Sequence, residues 1–469
     1  MGSSVSVPLQ EPPGTFQHAP SGSTVRIFWK DGRMHHQLEE RGLSADYPIA
    51  YAIGAGNVGK SYLVDLDGHL FQSPAAYYTS HSEWNTSPGY ESERVLDFSR
   101  SITSECLVCH AGAVKKSSGK TELTAISCER CHGPGENHRQ HPYPGTIVNP
   151  AKLPIRERDS VCEQCHLEGA TVVLNPGKYW WDFRPGQPLE DVETDYVFRS
   201  ENGFRTSIGA VSQAEQLTQS ACFRGSVGKL WCGTCHDPHG MPVNRKQQMK
   251  EICSSCHAAT QLATTHSSNF DDCVGCHMTR RQARDVAHAA VTDHRIARRP
   301  EVIVDAKVAK VLVAWHKPKP ELIERNLGLA SFYAAKREQS LKDYQRAFQL
   351  LSGLPLLQKD GAVSAAEGYM LLGSGGAQKA IECFERAVHA EPQSAEYWLD
   401  LAVAENGSGN SAAAVQAFRR SIENDPYDYR PYKALRDLYV RTNQPEQSRA
   451  VVAEFLQRVP QSIVMRLSR

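Results

Sequence analysis

The sequence predicts a mainly α protein in two parts, and three observations carry that prediction. Short cysteine motifs crowd residues 106 to 277, with few long periodic stretches between them, so this part is expected to hold little regular structure. Residues 24 to 90 alternate β-branched and aromatic positions, which predicts a small β element at the N-terminal end. From about residue 321 helical periodicity sets in with a 34-residue repeat, the mark of an α-helical solenoid. The divisions fall at 1–23 (a disordered or truncated segment), 24–100 (the β-rich start), 101–300 (the motif-bearing domain), 301–323 (a linker helix) and 324–469 (the solenoid).

Bulk properties narrow the function. A chain of 469 residues fits about three domains. Lys plus Arg and Asp plus Glu both number 52, and a neutral chain argues against general nucleic-acid binding and polybasic membrane attachment. No run of 18 apolar residues exists, so no transmembrane helix is expected.

Fourteen cysteines are the outlier, and twelve of them fall in six copies of Cys-x-x-Cys-His. These run Cys106, Cys109, His110; Cys128, Cys131, His132; Cys162, Cys165, His166; Cys232, Cys235, His236; Cys253, Cys256, His257; and Cys273, Cys276, His277. This spacing is the c-type haem attachment pattern. Two thiols add to the two porphyrin vinyl groups as thioethers, and the next residue lies under the ring, where its imidazole becomes the proximal iron ligand. Zinc ribbons use Cys-x-x-Cys pairs without needing a His directly afterwards, and a redox Cys-x-x-Cys is expected once, not six times. The first domain is therefore read as a hexahaem cytochrome c domain binding six haem c. The haems would supply the apolar core that its side chains lack, and without them this segment is not expected to fold.

A low-spin haem needs a second axial ligand. Of 19 His, six are proximal. His138 follows a Gly-Pro-Gly turn in CHGPGENH, and His239 in CHDPHG is close enough to reach a neighbouring haem rather than its own. His266 precedes the last motif, and His288 and His294 follow it. These five, with His81, are the candidate distal ligands. His69 is a further candidate and His141 a spare. His18, His35 and His36 read as solvated, and His316 and His389 as non-ligands. Met278 points away from its own iron, and Met241 is a weaker alternative. Cys222 and Cys383 stand outside the motifs and read as buried thiols. Bis-His ligation implies low potential. Cys232, Cys253 and Cys273 recur at about 20 residues, which holds neighbouring haems close enough for electron hopping.

CERCHGPGENH, CEQCHLEG, CGTCHDPHG and CVGCHM followed by TDHRI resemble the multihaem cytochromes related to the tetrahaem electron carrier of ammonia oxidation. The chain is similar in particular to bacterial members with C-terminal tetratricopeptide repeats. The resemblance implies bis-His haems in stacked pairs, an exported protein, and distal roles for His138 and His239. Similar proteins often have a further motif near the N-terminus, and none precedes Cys106 here, which suggests that the chain begins inside a longer parent.

Two N-terminal patterns are decoys. Gly54 to Ser61 (GAGNVGKS) fits phosphate-binding fingerprints, but those need a helix next, and Tyr62 to Leu66 reads as a strand, after which Asp67-Gly68 makes a turn. MGSSVS fits a myristoylation signal, a cytosolic modification at odds with haem attachment beyond the membrane. Export places the protein in the periplasm or outside the cell, although MGSSVSVPLQEPPG has no signal-peptide character.

In the last domain Pro392, Pro426 and Pro460 are 34 apart, as are Gly375 and Gly409, Ala380 and Ala414, Phe384 and Phe418, and Trp398 and Tyr432. That is the tetratricopeptide pattern, with repeats at 360–393, 394–427 and 428–461 and a degenerate 324–357 as a cap against the haem domain. Such repeats either bind a protein or peptide ligand or support packing and an oligomer. The functional expectation is an electron carrier that meets a redox partner protein. The alternative is an oxidoreductase of nitrite or hydroxylamine type with one open-site haem. No Cys-x-x-Cys-Lys, the mark of an active haem in nitrite reductases, occurs.

Overall fold

The computed structural model describes residues 4–5, 11–54, 56, 58–117, 120–167, 169–200, 208–240, 244–257, 272–283, 286, 289–298 and 310–468. His266, His288 and Met241 lie outside these residues.

The expectation of a mainly α first domain is wrong. Seventeen strands in five sheets run from Ser4 to Ala314 among the described residues. A four-stranded antiparallel meander (Gly14–His18, Ser23–Lys30, Arg33–Glu40, Leu43–Pro48) faces a six-stranded sheet built on Tyr51–Ile53, Lys60–Leu66 and His69–Tyr78. Three two-residue hairpin loops, Asp31-Gly32, Arg41-Gly42 and Asp67-Gly68, have positive φ at both residues. Their twist matches that of paired strands, so each locks its register. The inward set Val25, Ile27, Met34, Leu38 and Tyr47 packs on Tyr62, Val64, Trp84 and Phe98. The β element is thus a sandwich with its own core rather than a small cover. Its first full strand, Gly14–His18, lies in the segment expected to be disordered. Strand Lys60–Leu66 follows the glycine-rich turn, and Lys60 pairs with Glu11.

A second correction concerns the linker. Lys310–Ala314, placed in a helix by the sequence reading, is a strand that pairs with Glu193–Ser200, which in turn pairs with Thr171–Leu174. Its run KVLVA has the β-branched alternation of a strand.

The C-terminal part is four helix pairs: Ile323–Glu338 with Leu341–Ser352, Gly361–Gly373 with Ala377–Ala390, Ala395–Gly407 with Ser411–Asn424, and Tyr429–Arg441 with Pro445–Arg458. Ser340, Asp360, Ser394, Asn410 and Asp428 cap helices by accepting a backbone N–H of the first turn. The 34-residue spacings have a physical reason. Trp398 Nε1 donates to the Pro392 carbonyl at 2.8 Å, and Tyr432 OH donates to the Pro426 carbonyl at 3.2 Å, one repeat later. Ala380 and Ala414 are fully buried beside Phe384 and Phe418, where small residues let helices approach.

Both ends of the solenoid are built into the rest of the chain. Helix Ile323–Glu338 packs Leu329, Ala330 and Phe332 on Val173, Tyr196 and Leu312 of the three-stranded sheet. Asn326 Nδ2 donates to Asn175 Oδ1 and Thr194 Oγ1, each at 3.0 Å. At the far end Ile463 enters the sandwich core, Ser462 Oγ donates to Asp97 Oδ2 at 2.7 Å, and Val464 N donates to the same oxygen at 3.1 Å. Midway, the His69 ring stacks on Tyr427 at 4.0 Å, and Tyr427 OH donates to Asp67. No helix among the described residues is long and apolar enough to cross a membrane.

Asp97→Ala leaves Ser462 Oγ, Val464 N and Phe98 N without this acceptor, at about 1–3 kcal/mol for each buried group. Thermal melting of the holoprotein is expected to show a lower midpoint, and an unchanged midpoint would mean that this dock adds no stability. A second test uses His36, whose ring is buried against Tyr62 and Trp84 with Nδ1 on Ser73 Oγ at 2.7 Å. Burial, then neighbouring His35, pulls its pKa down to about 3. The unfolded chain therefore takes up this proton first, near pH 6.5. Stability is full above that pH and falls as pH drops toward 3. Urea titrations should show that His36→Gln flattens this acid loss.

Candidate haem-attachment site

Each motif forms about one helical turn. His132 N donates to Cys128 O at 2.9 Å, His236 N to Cys232 O at 2.9 Å and His257 N to Cys253 O at 3.0 Å. Positions i, i+3 and i+4 of a turn share one face, so both thiols and the imidazole of a motif project together. The motif helices bury little: Glu129–His132, Cys232–Cys235, Arg245–Ser254 and Cys273–His277 contain no buried residue.

The motifs adjoin at their cysteines. Cys109 lies near Cys165, Cys162 near Cys232, and Cys253 near Cys273. Motifs one and three, three and four, and five and six therefore adjoin. Arg130 ties the first three. Its guanidinium lies 5.0 Å over the Trp181 ring and donates to Val108 O at 2.7 Å, and its carbonyl accepts from Gln164 Nε2 at 3.0 Å. Cys222 lies within electrostatic reach of Cys235 and Cys253. Cys383 is buried on a repeat helix, with Arg386 on its sulfur at 3.1 Å.

Two pairs of imidazoles face one another. The His132 and His239 rings have centres 5.8 Å apart and planes 22° apart, and the His236 and His294 rings 6.2 Å and 25°. Two imidazoles on opposite sides of one metal ion, with metal–nitrogen bonds of about 2.0 Å, have ring centres about 6 Å apart. The other nitrogen is held by the chain. His132 Nδ1 meets Val148 O at 2.7 Å, His294 Nδ1 meets Thr292 O at 2.9 Å, and His277 Nδ1 meets Ala297 O at 2.8 Å. A carbonyl there requires the proton on Nδ1 and leaves the Nε2 lone pair for a metal. Burial lowers the pKa of His110, His236 and His294, which keeps these rings neutral and able to ligate. Cysteine pairs on one face with a neutral imidazole beside them fit covalently held haem.

The remaining candidates are placed less tellingly. His138 Nδ1 bonds Thr146 Oγ1 at 2.8 Å on the short helix Glu136–Gln140. His81 lies on an exposed turn with Ser80 Oγ at 2.9 Å. His166 Nδ1 approaches Gln213 Oε1 at 3.3 Å. His257 is exposed. His69 serves the solenoid contact, and His316 Nε2 meets Glu163 at 3.1 Å. Sequence reasoning missed the groups that orient the imidazoles, because Val148 O, Thr292 O and Ala297 O are backbone carbonyls with no residue signature. It also missed the buried carboxylates behind motif three, Glu193 and Asp195.

Comparison with known proteins follows the same lines. The family described as "Cytochrome c554 and c-prime" matches residues 72–133, across the first two motifs, and "Doubled CXXCH motif" matches residues 225–262, across the fourth and fifth. The chain is related to the multihaem c-type cytochromes. The cytochrome also carries a "Tetratricopeptide repeat" match at residues 366–429. It is 24% identical over 172 residues to the multiheme cytochrome MtrA of Shewanella baltica, covering 33% of this chain and 52% of that one. It is 26% identical over 219 residues to the dissimilatory sulfite reductase MccA of Wolinella succinogenes, covering 38% of this chain and 27% of that one. The cytochrome thus spans about half, or less, of the length of these relatives. Among solved structures, MamA from Desulfovibrio magneticus matches 29% of this chain and 78% of its own, at 20% identity and a TM-score of 0.26. YrrB, a tetratricopeptide protein with a peptide-binding site, matches 30% and 72%, at 16% identity and a TM-score of 0.25.

Arg130→Met removes the charge-assisted bond to Val108 and the contact over Trp181, together about 2–4 kcal/mol. Chemical denaturation of the cytochrome, followed by the haem band, should show an earlier midpoint, and an unshifted one would place no weight on this tie.

Proposed function

We propose that the protein is an exported electron-transfer cytochrome that holds six haem c groups through its six Cys-x-x-Cys-His motifs. The observation that carries this reading is two pairs of facing imidazoles, at 5.8 and 6.2 Å, each joining a motif histidine to one from another turn. On this reading His132 and His239 are the axial ligands of one iron and His236 and His294 of another. His138, His81, His266 and His288 are candidates for the remaining irons. Haem c, once bound, supplies a reversible one-electron couple. The chain does the rest. Carbonyls fix the imidazole tautomers, Arg130 and Gln164 tie the first three motifs together, and the sandwich and the sheet–helix layer flank the motif-bearing segment. The repeats then present a surface to a redox partner protein, with Tyr333, Tyr369, Val403 and Val440 exposed on the first helices of the four pairs.

The test is low-temperature EPR of the oxidised holoprotein with haem quantified on the same sample. Six low-spin haems are expected. His239→Ala and His294→Ala should each convert one haem to high spin while total haem stays constant. If neither substitution changes spin state, the axial assignment fails. If the unaltered protein already holds a high-spin haem, an oxidoreductase with one open iron becomes the better reading. That alternative is also suggested by the likeness to a protein named a sulfite reductase.

A further inference from the structure

The chain after motif six closes on itself. Arg280–Gln282 pairs antiparallel with Ala290–Thr292, and Asp293 N donates to Thr279 O at 3.1 Å. Further on, Ala297 returns to the motif. Its N donates to His277 O at 3.0 Å, and its carbonyl accepts from His277 Nδ1 at 2.8 Å. Between these two closures lies His294, whose ring faces that of His236 in motif four at 6.2 Å. One short segment therefore presents an imidazole to motif four and orients the histidine of motif six.

That segment is held from several sides. Asp293 and Arg295, which flank His294, are buried, at 3% and 2% exposure. Asp293 uses both carboxylate oxygens. Oδ1 accepts from Arg295 N at 3.0 Å and Arg295 Nε at 2.8 Å. Oδ2 accepts from Arg295 Nη2 at 2.6 Å and Arg281 Nε at 2.8 Å. His294 N donates to Oε1 of the buried Gln216 at 2.8 Å, and Gln216 Nε2 is in turn fixed on Ser212 Oγ at 2.8 Å. With Nδ1 on Thr292 O at 2.9 Å, a ring held this way offers Nε2 to a metal.

Two features mark the cluster as a device for position. A buried ion pair adds little net stability over apolar side chains of the same volume, and the apolar core beside it is small, Ala283, Ala289 and Val291 with Ile208. What such a pair does supply is a fixed geometry. Ile296 also has φ +49°, in the left-handed region that a β-branched residue avoids. Strain of this kind persists only where the surroundings over-determine the backbone. Here it lies on the turn that takes the chain from His294 back to His277.

We propose that Asp293 is a positioning residue for two irons. Through Arg295 and Arg281 it holds His294 at the iron of motif four, and through the turn at Ile296 it keeps Ala297 on the proximal histidine of motif six. The inference rests on the axial reading above. Without the clamp, motif four loses its second imidazole, and motif six loses the carbonyl that orients its imidazole and makes it more basic.

The experiment is low-temperature EPR of the oxidised holoprotein, with haem quantified, on Asp293→Ala beside His294→Ala. His294→Ala should convert one haem to high spin and leave the other low-spin signals as they were. Asp293→Ala still contains His294. It should nevertheless show a high-spin haem that free imidazole returns to low spin, and a shifted g value for a second, low-spin haem. The double variant should hold one high-spin haem, and two would place the effect of Asp293 elsewhere and overturn the proposal. If His294→Ala leaves every haem low-spin, the axial reading fails and takes this proposal with it. If His294→Ala converts a haem and Asp293→Ala converts none, this proposal alone is overturned. A g shift absent from Asp293→Ala overturns the tie to motif six. Should Asp293→Ala fail to load haem, Asp293→Asn, of the same shape, decides. A high-spin signal that imidazole removes supports the clamp, and a wholly low-spin spectrum overturns it.

Discussion

The segment that bears the motifs cannot bury itself, and the rest of the molecule is organised around that constraint. Its helices are one to three turns long, and six of the described ones contain no buried residue. The large apolar clusters lie elsewhere, in the sandwich, in the solenoid and where the solenoid meets the three-stranded sheet. A segment with so little core keeps a fixed geometry only if its neighbours hold it. The chain does this by folding stable elements on both sides, packing Leu107 of motif one and Ala111 directly after it on Leu63 and Leu70 of the sandwich, and Leu167, directly after motif three, on Val197 of the three-stranded sheet.

The solenoid belongs to that clamp. A free repeat array contacts only its neighbours and behaves as a one-dimensional stack. Here the first repeat is half of a sheet–helix layer through Leu329, Phe332 and Asn326, and the last one ends in Ile463 inside the sandwich. The sheet beneath the first repeat faces apolar helix on one side and the charged surroundings of motif three on the other. One strand therefore carries both Tyr196, packed on the repeat helix, and Val197, packed on Leu167, two positions of opposite parity.

Much of this was legible in the residues. The attachment motifs are local, since i, i+3 and i+4 on one turn is a pattern that a linear reading can see. The repeats were legible because Pro392 and Trp398, like Pro426 and Tyr432, touch within a few residues. The sandwich was underestimated although its signal was present. Asp31-Gly32 lies between alternating runs, as does Asp67-Gly68, but only the second was read as a turn. His36 reads as solvated because its neighbours in sequence are polar, whereas on the pleat it points inward to Tyr62. The run KVLVA carries a strand signal at Lys310–Ala314, but its pairing was not legible, because its partner lies far back in the chain at Glu193–Ser200.

The second ligands mark the limit of a linear reading more sharply. A proximal histidine is fixed by its own motif, but its facing imidazole comes from another turn of the chain. His239 sits beside motif four yet faces the histidine of motif two, and His294, beyond motif six, faces that of motif four. What selects these two is the tertiary stacking of the motifs together with the carbonyls that turn His132 and His294. Pairing between motifs also has a consequence for electron flow. On the axial assignment proposed above, a turn that supplied a ligand to another motif's iron could not shift without moving both, so the spacing of those irons would be set by the same contacts that set their coordination.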